Sequence, residues 1–211
     1  MNEDMQDISG YKWNYAHESC AHKYLLPQIY KLLDEIDWKD NNKRIFDLGC
    51  GNGATAKNLT NKGFDVTGVD PSTEGIAQIY AKTPNLKLYE GSCYEPLDKK
   101  YGKYPVVISL EVIEHIYSPR KFANCVYSLL EKNGTAIIST PYHGYLKNLA
   151  ISITGKMDAH FTALWDNGHI KFWSERTLSI LLKEVGFNNI HFKRIGRVSC
   201  IAKAMIAIAK K

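Results

Sequence analysis

The middle of the chain alternates short apolar runs with amphipathic ones. Buried-strand patterns fall at residues 44–48, 65–69, 86–89, 105–110 and 135–140. Apolar positions recur at helical spacing over 54–61, 73–82 and 119–131. A later helix, 174–185, is followed by strand patterns at about 189–195 and 205–209, which fit a terminal antiparallel hairpin. Strands that alternate with helices predict a mostly parallel sheet with helices on both faces, an α/β architecture. Gly63, Gly134 and Gly186 stand where helices are expected to stop. Ser72 stands where the second of them is expected to start.

Two segments fall outside this alternation. Residues 1–43 precede the first strand and carry an amphipathic helix at about 22–36, with Tyr11, Trp13, Tyr15, His17, His22 and Tyr24 around its start. They read as a helical cap that closes over a site or covers a sheet face. Residues 141–173 make a connection longer than ordinary ones, and such connections are often functional. This one holds His143, His160, Trp165, His169 and Trp173, and is expected to shape a substrate pocket.

Composition narrows the class without naming a chemistry. The 211 residues fit one domain, and 45% hydrophobic with 23% charged residues is ordinary for a globular chain. The start, Met-Asn-Glu-Asp-Met-Gln-Asp, is acidic and polar, unlike a signal peptide, and no apolar run approaches a membrane span. Cys20, Cys50, Cys93, Cys125 and Cys200 lack paired spacing, which suits reduced thiols and a cytoplasmic location. The net charge of +5 is concentrated near the C-terminus, at Lys193, Arg194, Arg197, Lys203, Lys210 and Lys211. It permits an anionic substrate but falls short of a nucleic-acid stripe. Oligomeric state stays open.

The candidate chemistry begins in Arg44-Ile-Phe-Asp-Leu-Gly-Cys-Gly-Asn-Gly53, a strand that breaks into a glycine turn and then a helix. Glycines let a ligand approach the backbone closely. Asp70 ends the next strand, about twenty residues on, where a carboxylate accepts hydrogen bonds from a ribose diol. A dinucleotide turn reads G-x-G-x-x-G, whereas Gly49, Gly51 and Gly53 give G-x-G-x-G. Asp47, two residues before Gly49, favours a cationic ligand over a pyrophosphate. The pattern resembles motif I of class I S-adenosylmethionine (SAM) methyltransferases, and the element order resembles their whole Rossmann-like fold. The resemblance implies that Asp47, Gly49, Cys50, Gly51, Asn52, Gly53 and Asp70 bind SAM. Ser92 and Cys93, after the third strand, would meet its adenine, and Glu111 would lie near its methionine part.

The fourth strand runs into Glu111-Val-Ile-Glu-His115. Ligands in open α/β sheets bind beyond the carboxyl ends of the strands, so Glu111, Glu114 and His115 emerge beside the cofactor. Two carboxylates and an imidazole at this spacing suit a divalent cation, and a polar helix start is the plain alternative. His169 precedes the last helix, after the neighbouring fifth strand. The combination resembles quinone-biosynthesis O-methyltransferases, with Glu-x-x-Glu-His at this place. It also resembles metal-dependent small-RNA terminal 2′-O-methyltransferases, which add a later histidine. That resemblance implies Glu111, Glu114, His115 and His169 as ligands of a divalent metal (Mg, Mn, Fe or Zn), with Glu114, His115 and His169 catalytic. It implies O-methylation of a small-molecule hydroxyl on a ring, sugar or glycan precursor. RNA is the runner-up acceptor, and a non-catalytic SAM-fold subunit is the reading from another class.

Overall fold

The computed structural model describes residues 22–80, 83–165, 168–196 and 198–211. Strands β1 (Arg44–Leu48), β2 (Asp65–Asp70), β3 (Lys87–Glu90), β4 (Tyr104–Leu110), β5 (Leu130–Pro141), β6 (Asn188–Ile195) and β7 (Ala204–Lys210) form one sheet. Its order is β3-β2-β1-β4-β5-β7-β6. β1 to β5 run parallel, and β7 joins β5 and β6 antiparallel, as the terminal hairpin pattern predicts. The order reverses between β1 and β4, so the turns after these strands open the crevice where ligands of such sheets bind.

Helices α1 (His22–Asp34), α2 (Ala54–Asn61), α3 (Thr73–Tyr80), α4 (Leu97–Tyr101), α5 (Pro119–Leu129), α6 (Tyr145–Ile153), α7 (Met157–Phe161) and α8 (Glu175–Val185) surround the sheet. The central strands bury both faces, which is why they read as continuous apolar runs. Ile45, Ile108 and Ile137 meet Leu25, Ile29 and Leu33 of α1 and Leu59 of α2. Phe46, Val107 and Ile138 meet Phe122 and Val126 of α5 and Leu178 and Leu182 of α8. Leu25, Ile29, Leu32 and Leu33 follow helical spacing, and burying each such side chain contributes about 1.5–3 kcal/mol. Part of the N-terminal cap is therefore a cover for one sheet face. Tyr11, Trp13, Tyr15, His17 and Cys20 lie outside the described residues, as do residues 81–82 at the expected end of α3.

Three local expectations change. The helix expected over 119–131 ends at Leu129, because Leu130 is already extended (ψ 140) and starts β5. Gly134 is not a helix cap. Asn133 takes the left-handed conformation (φ 66), and a Cβ at Gly134 would lie 2.9 Å from the Glu131 carbonyl and 3.1 Å from that of Pro105. Close backbone approach fixes that glycine. The connection 141–173 holds α6 and α7. α6 buries Lys147 and turns Tyr145, Leu146, Leu149 and Ile153 outward. No helix among the described residues is long and apolar enough to cross a membrane.

Candidate active site

The site starts where β1 turns into α2. Gly49, Gly51 and Gly53 all adopt left-handed backbone (φ 82, 53 and 71), which glycine enters without a Cβ penalty. At two of them space is closed as well. A Cβ on Gly49 would come within 2.5 Å of Val112, and one on Gly53 within 2.5 Å of Leu88. The first half of the turn is tied to β2. Gly49 and Cys50 donate N–H bonds to the Val69 carbonyl, and Gly51 donates at 2.8 Å to Asp70 Oδ2. Asp70 Oδ1 accepts from Ser72 N–H at 2.8 Å, and the Ser72 hydroxyl caps α3 by accepting from Gly75. The Asn52 side chain accepts from Ala54 N–H at the start of α2.

Asp47 lies beneath this turn, 1% exposed, and its Oδ2 has no hydrogen-bond partner. Burial, and then the charge of Asp70, push its pKa up to about 7. A buried carboxylate oxygen without a partner is costly, and a cation beside it removes the cost. The methionine ammonium of SAM is such a cation, and the glycine turn with Asp70 suits its ribose. The residues present therefore fit SAM. A pH dependence follows. Asp47 holds a proton up to about pH 7 in the free protein, and binding a cation favours its ionised form. SAM affinity is expected to rise between about pH 5.5 and pH 7.5, with proton release. Calorimetry in buffers of different ionisation enthalpy reads this release directly, and Asp47→Asn should flatten the profile while weakening SAM.

Cys50 and Cys93 are buried thiols, both pushed up by desolvation, Cys93 to about 12. Cys93 packs in the core with Leu48, Val69 and Leu97. The loop around it is set by Ser92, whose N–H donates to Glu95 and whose hydroxyl accepts from Tyr94 N–H.

β4 ends in a short helical turn, Ile113–His115. Ligand atoms of Glu114, His115 and His169 all lie within 4.8 Å of one another. His169 reaches them because its own loop is fastened to that turn. Ile170 and Lys171 both donate N–H bonds to the Glu114 carbonyl at 2.9 Å. The Trp173 indole donates to the Ile113 carbonyl at 3.3 Å. The His115 and His169 ring centroids lie 4.9 Å apart, with Trp165 close to both. Glu114 is 1% exposed, and neither of its carboxylate oxygens is hydrogen-bonded. Burial, then the charge of Glu111, raise its pKa well above the carboxylate range. Burial, then the charge of His115, lower His169 to about 4, leaving a neutral imidazole with a free lone pair at neutral pH. An orphaned carboxylate and a neutral imidazole, converging with a second one, are donors of a kind that suits a divalent cation.

Glu111 does not join that group. It holds φ 57, rare for a non-glycine residue, and its carboxylate accepts a 2.8 Å hydrogen bond from Ser139. In the connection 141–173, Lys147 has no place in the sequence reading, whereas His143 does. The Lys147 ammonium is buried and donates to the Tyr142 carbonyl at 2.7 Å and to the Lys203 carbonyl at 3.4 Å. A lone cation in the apolar run 145–153 was the signal available for it. His143 is buried beside His160 and Phe172, and burial followed by the Lys147 charge lowers it to about 4.

Comparison with known proteins bears on the family and the fold. The family model for a methyltransferase domain matches residues 17–192. The chain belongs to that family and carries the class I SAM-dependent methyltransferase fold. It is 35% identical over 145 residues to a ubiquinone biosynthesis O-methyltransferase of Rickettsia bellii, covering 65% of this chain and 60% of the relative. The chain thus spans about three-fifths of that relative's length. It is 26% identical over 190 residues to the protein of the same name from Burkholderia pseudomallei, covering 83% of this chain and 82% of the relative. Among solved structures, the methyltransferase domain of bacterial CtHen1-CN superposes with a TM-score of 0.64 at 21% identity, over 88% of this chain and 97% of that domain. At that identity the likeness is one of fold.

Proposed function

We propose that the protein transfers the methyl group of SAM to a hydroxyl of a small molecule, with a divalent cation held by Glu114, His115 and His169. The observation that carries this reading is the convergence of ligand atoms of those three side chains within 4.8 Å of one another. A cation there would lower the pKa of an acceptor oxygen and fix its position. The chain's own residues do the rest. Asp47 holds the methionine end of the cofactor and Asp70 its ribose, and the Ser92–Cys93 loop faces its adenine. With both imidazoles committed to the cation, an acceptor hydroxyl acidified by it would give up its proton to solvent. Fixing the donor and acceptor in line supplies much of the rate.

One carboxylate with two imidazoles suits zinc, iron or manganese better than magnesium. Relatives named for ubiquinone biosynthesis support a hydroxylated ring as the acceptor, ahead of a sugar or glycan precursor. Residues 141–173 then form the acceptor side and residues 1–43 the cap of one methyltransferase domain. A direct test follows S-adenosylhomocysteine formation with catechol, a vicinal diol sugar and a short RNA, before and after chelation. Turnover of catechol or sugar that falls at least ~10-fold on chelation and returns with added metal supports the proposal. Turnover of the RNA alone transfers the function to a terminal ribose. SAM binding with no turnover of any acceptor would favour a non-catalytic subunit.

A further inference from the structure

Trp165 stands apart among the described tryptophans. Trp173 is buried and donates its indole N–H to the Ile113 carbonyl. Trp38 packs on Phe64 and donates to the Leu33 carbonyl. Trp165 is 46% exposed, yet its backbone is held on both sides. Its N–H donates to the Thr162 carbonyl, and its own carbonyl accepts from the Gly168 N–H, both at 2.9 Å. A Cβ at Gly168 would lie 2.9 Å from the Trp165 carbonyl and 3.5 Å from the indole, so the chain passes close against the ring. A large apolar ring left half in water costs free energy that core packing does not offset.

That ring stands beside the cluster of Glu114, His115 and His169. Its centroid is 6.3 Å from that of His115, with the planes at 81°, and 6.1 Å from that of His169, at 51°. The loop that carries Trp165 and His169 is fastened to the Glu114 carbonyl by the Ile170 and Lys171 N–H groups. The indole therefore borders the place where two of the three side chains would hold a cation. Aromatic rings attract one another, offset or edge-on, at centroid separations of about 4.5–7 Å. Both oxygens of a catechol lie in its ring plane, so a catechol that reaches the cation with both brings its ring up beside the indole. An open-chain diol brings the oxygens alone. We propose that Trp165 is a specificity-determining residue, the platform that receives the ring of an aromatic diol as its oxygens meet the cation. The inference rests on the functional reading given above and narrows its acceptor to a planar ring.

The test compares wild type, Trp165→Ala and Trp165→Phe, each with SAM, Mn²⁺ and catechol. Trp165→Ala should raise the KM for catechol roughly tenfold, the size of a lost aromatic pair with its buried area. It should lower kcat no more than about threefold, because the contact is made to substrate and transition state alike. Trp165→Phe should recover most of the loss. Calorimetric affinities for Mn²⁺ and SAM should stay within about twofold in both variants, because an indole offers a metal no lone pair. Inhibition by acetohydroxamate, a chelator with two oxygens and no ring, should also change less than about twofold. Catechol should quench indole fluorescence in wild type and quench it less in Trp165→Phe. A catechol KM that stays within about twofold of wild type in Trp165→Ala would overturn the proposal. So would a loss of acetohydroxamate inhibition as large as the loss for catechol, since the variant would then have disturbed the cation and not the ring. A wild type that methylates a vicinal-diol sugar but not catechol overturns this inference alone. One that methylates no hydroxyl acceptor overturns the functional reading with it.

Discussion

Gly51→Arg is expected to abolish SAM binding while leaving the sheet folded. Gly51 sits at φ 53 and donates its N–H to Asp70 at 2.8 Å. A residue with a Cβ pays about 1–2 kcal/mol in that conformation. For a chain of this size that cost lowers the melting temperature by roughly 2–8 °C, well short of unfolding. The effect on the cofactor is larger and has two sources. The side chain fills the space that the glycine turn leaves for a ligand. Its guanidinium also competes for the carboxylates of Asp47 and Asp70, displacing the cation they are placed to receive. SAM affinity should fall by at least ~100-fold, which is about 2.7 kcal/mol. Calorimetry with a thermal melt on the same sample decides the matter. Near-native melting without SAM binding supports the assignment. Unchanged affinity would move the cofactor away from this turn.

Much of this geometry is legible in the sequence because it depends on local spacing. β1, its glycine turn and α2 are fixed by an apolar run, three glycines and a helical period within eighteen residues. The carboxylate of Asp70 follows at the tip of β2, where the parallel register places it beside the turn. His169 is legible only through resemblance, because two backbone bonds to the Glu114 carbonyl bring it home and backbone bonds leave no mark on residue type. The separation of Glu111 from Glu114 is invisible for a similar reason. Their spacing places both on one face of a helix, but Glu111 lies before the helical turn in a left-handed state, and the partner that holds it comes from β5. Residues 130–134 misled because Leu-Glu-Lys extends a helical pattern. Pairing of Leu130 with Tyr104 of β4 overrides that propensity. α6 hides its role differently. Its apolar residues face outward and its lysine faces in, the reverse of the rule that places a surface helix.

The second large effect belongs to the three-residue cluster. His169→Ala should reduce methyl transfer by at least ~100-fold at saturating SAM, the lower range for losing a group that acts on the reacting proton or its cation. Metal affinity should fall by more than tenfold, and SAM affinity should change less than twofold. The loop itself should stay in place, because Ile170, Lys171 and Trp173 keep their hydrogen bonds to the Ile113–Glu114 backbone. Glu114→Gln provides the thermodynamic counterpart. Burial holds the Glu114 carboxyl well above its ordinary pKa, so its contribution to stability is full below about pH 4.5 and is lost as pH rises through the folded value. Without metal at pH 8, Glu114→Gln should therefore melt above wild type. A bound cation reverses the order, because it stabilises the ionised carboxylate and has less to gain from the amide. A wild-type melting temperature that rises with added Zn²⁺ or Mn²⁺, and a variant that starts higher and does not respond, would show that the buried carboxylate binds a cation. If both melt alike with and without metal while turnover survives chelation, Glu114, His115 and His169 act by hydrogen bonding alone, and the cation has no part in the reaction.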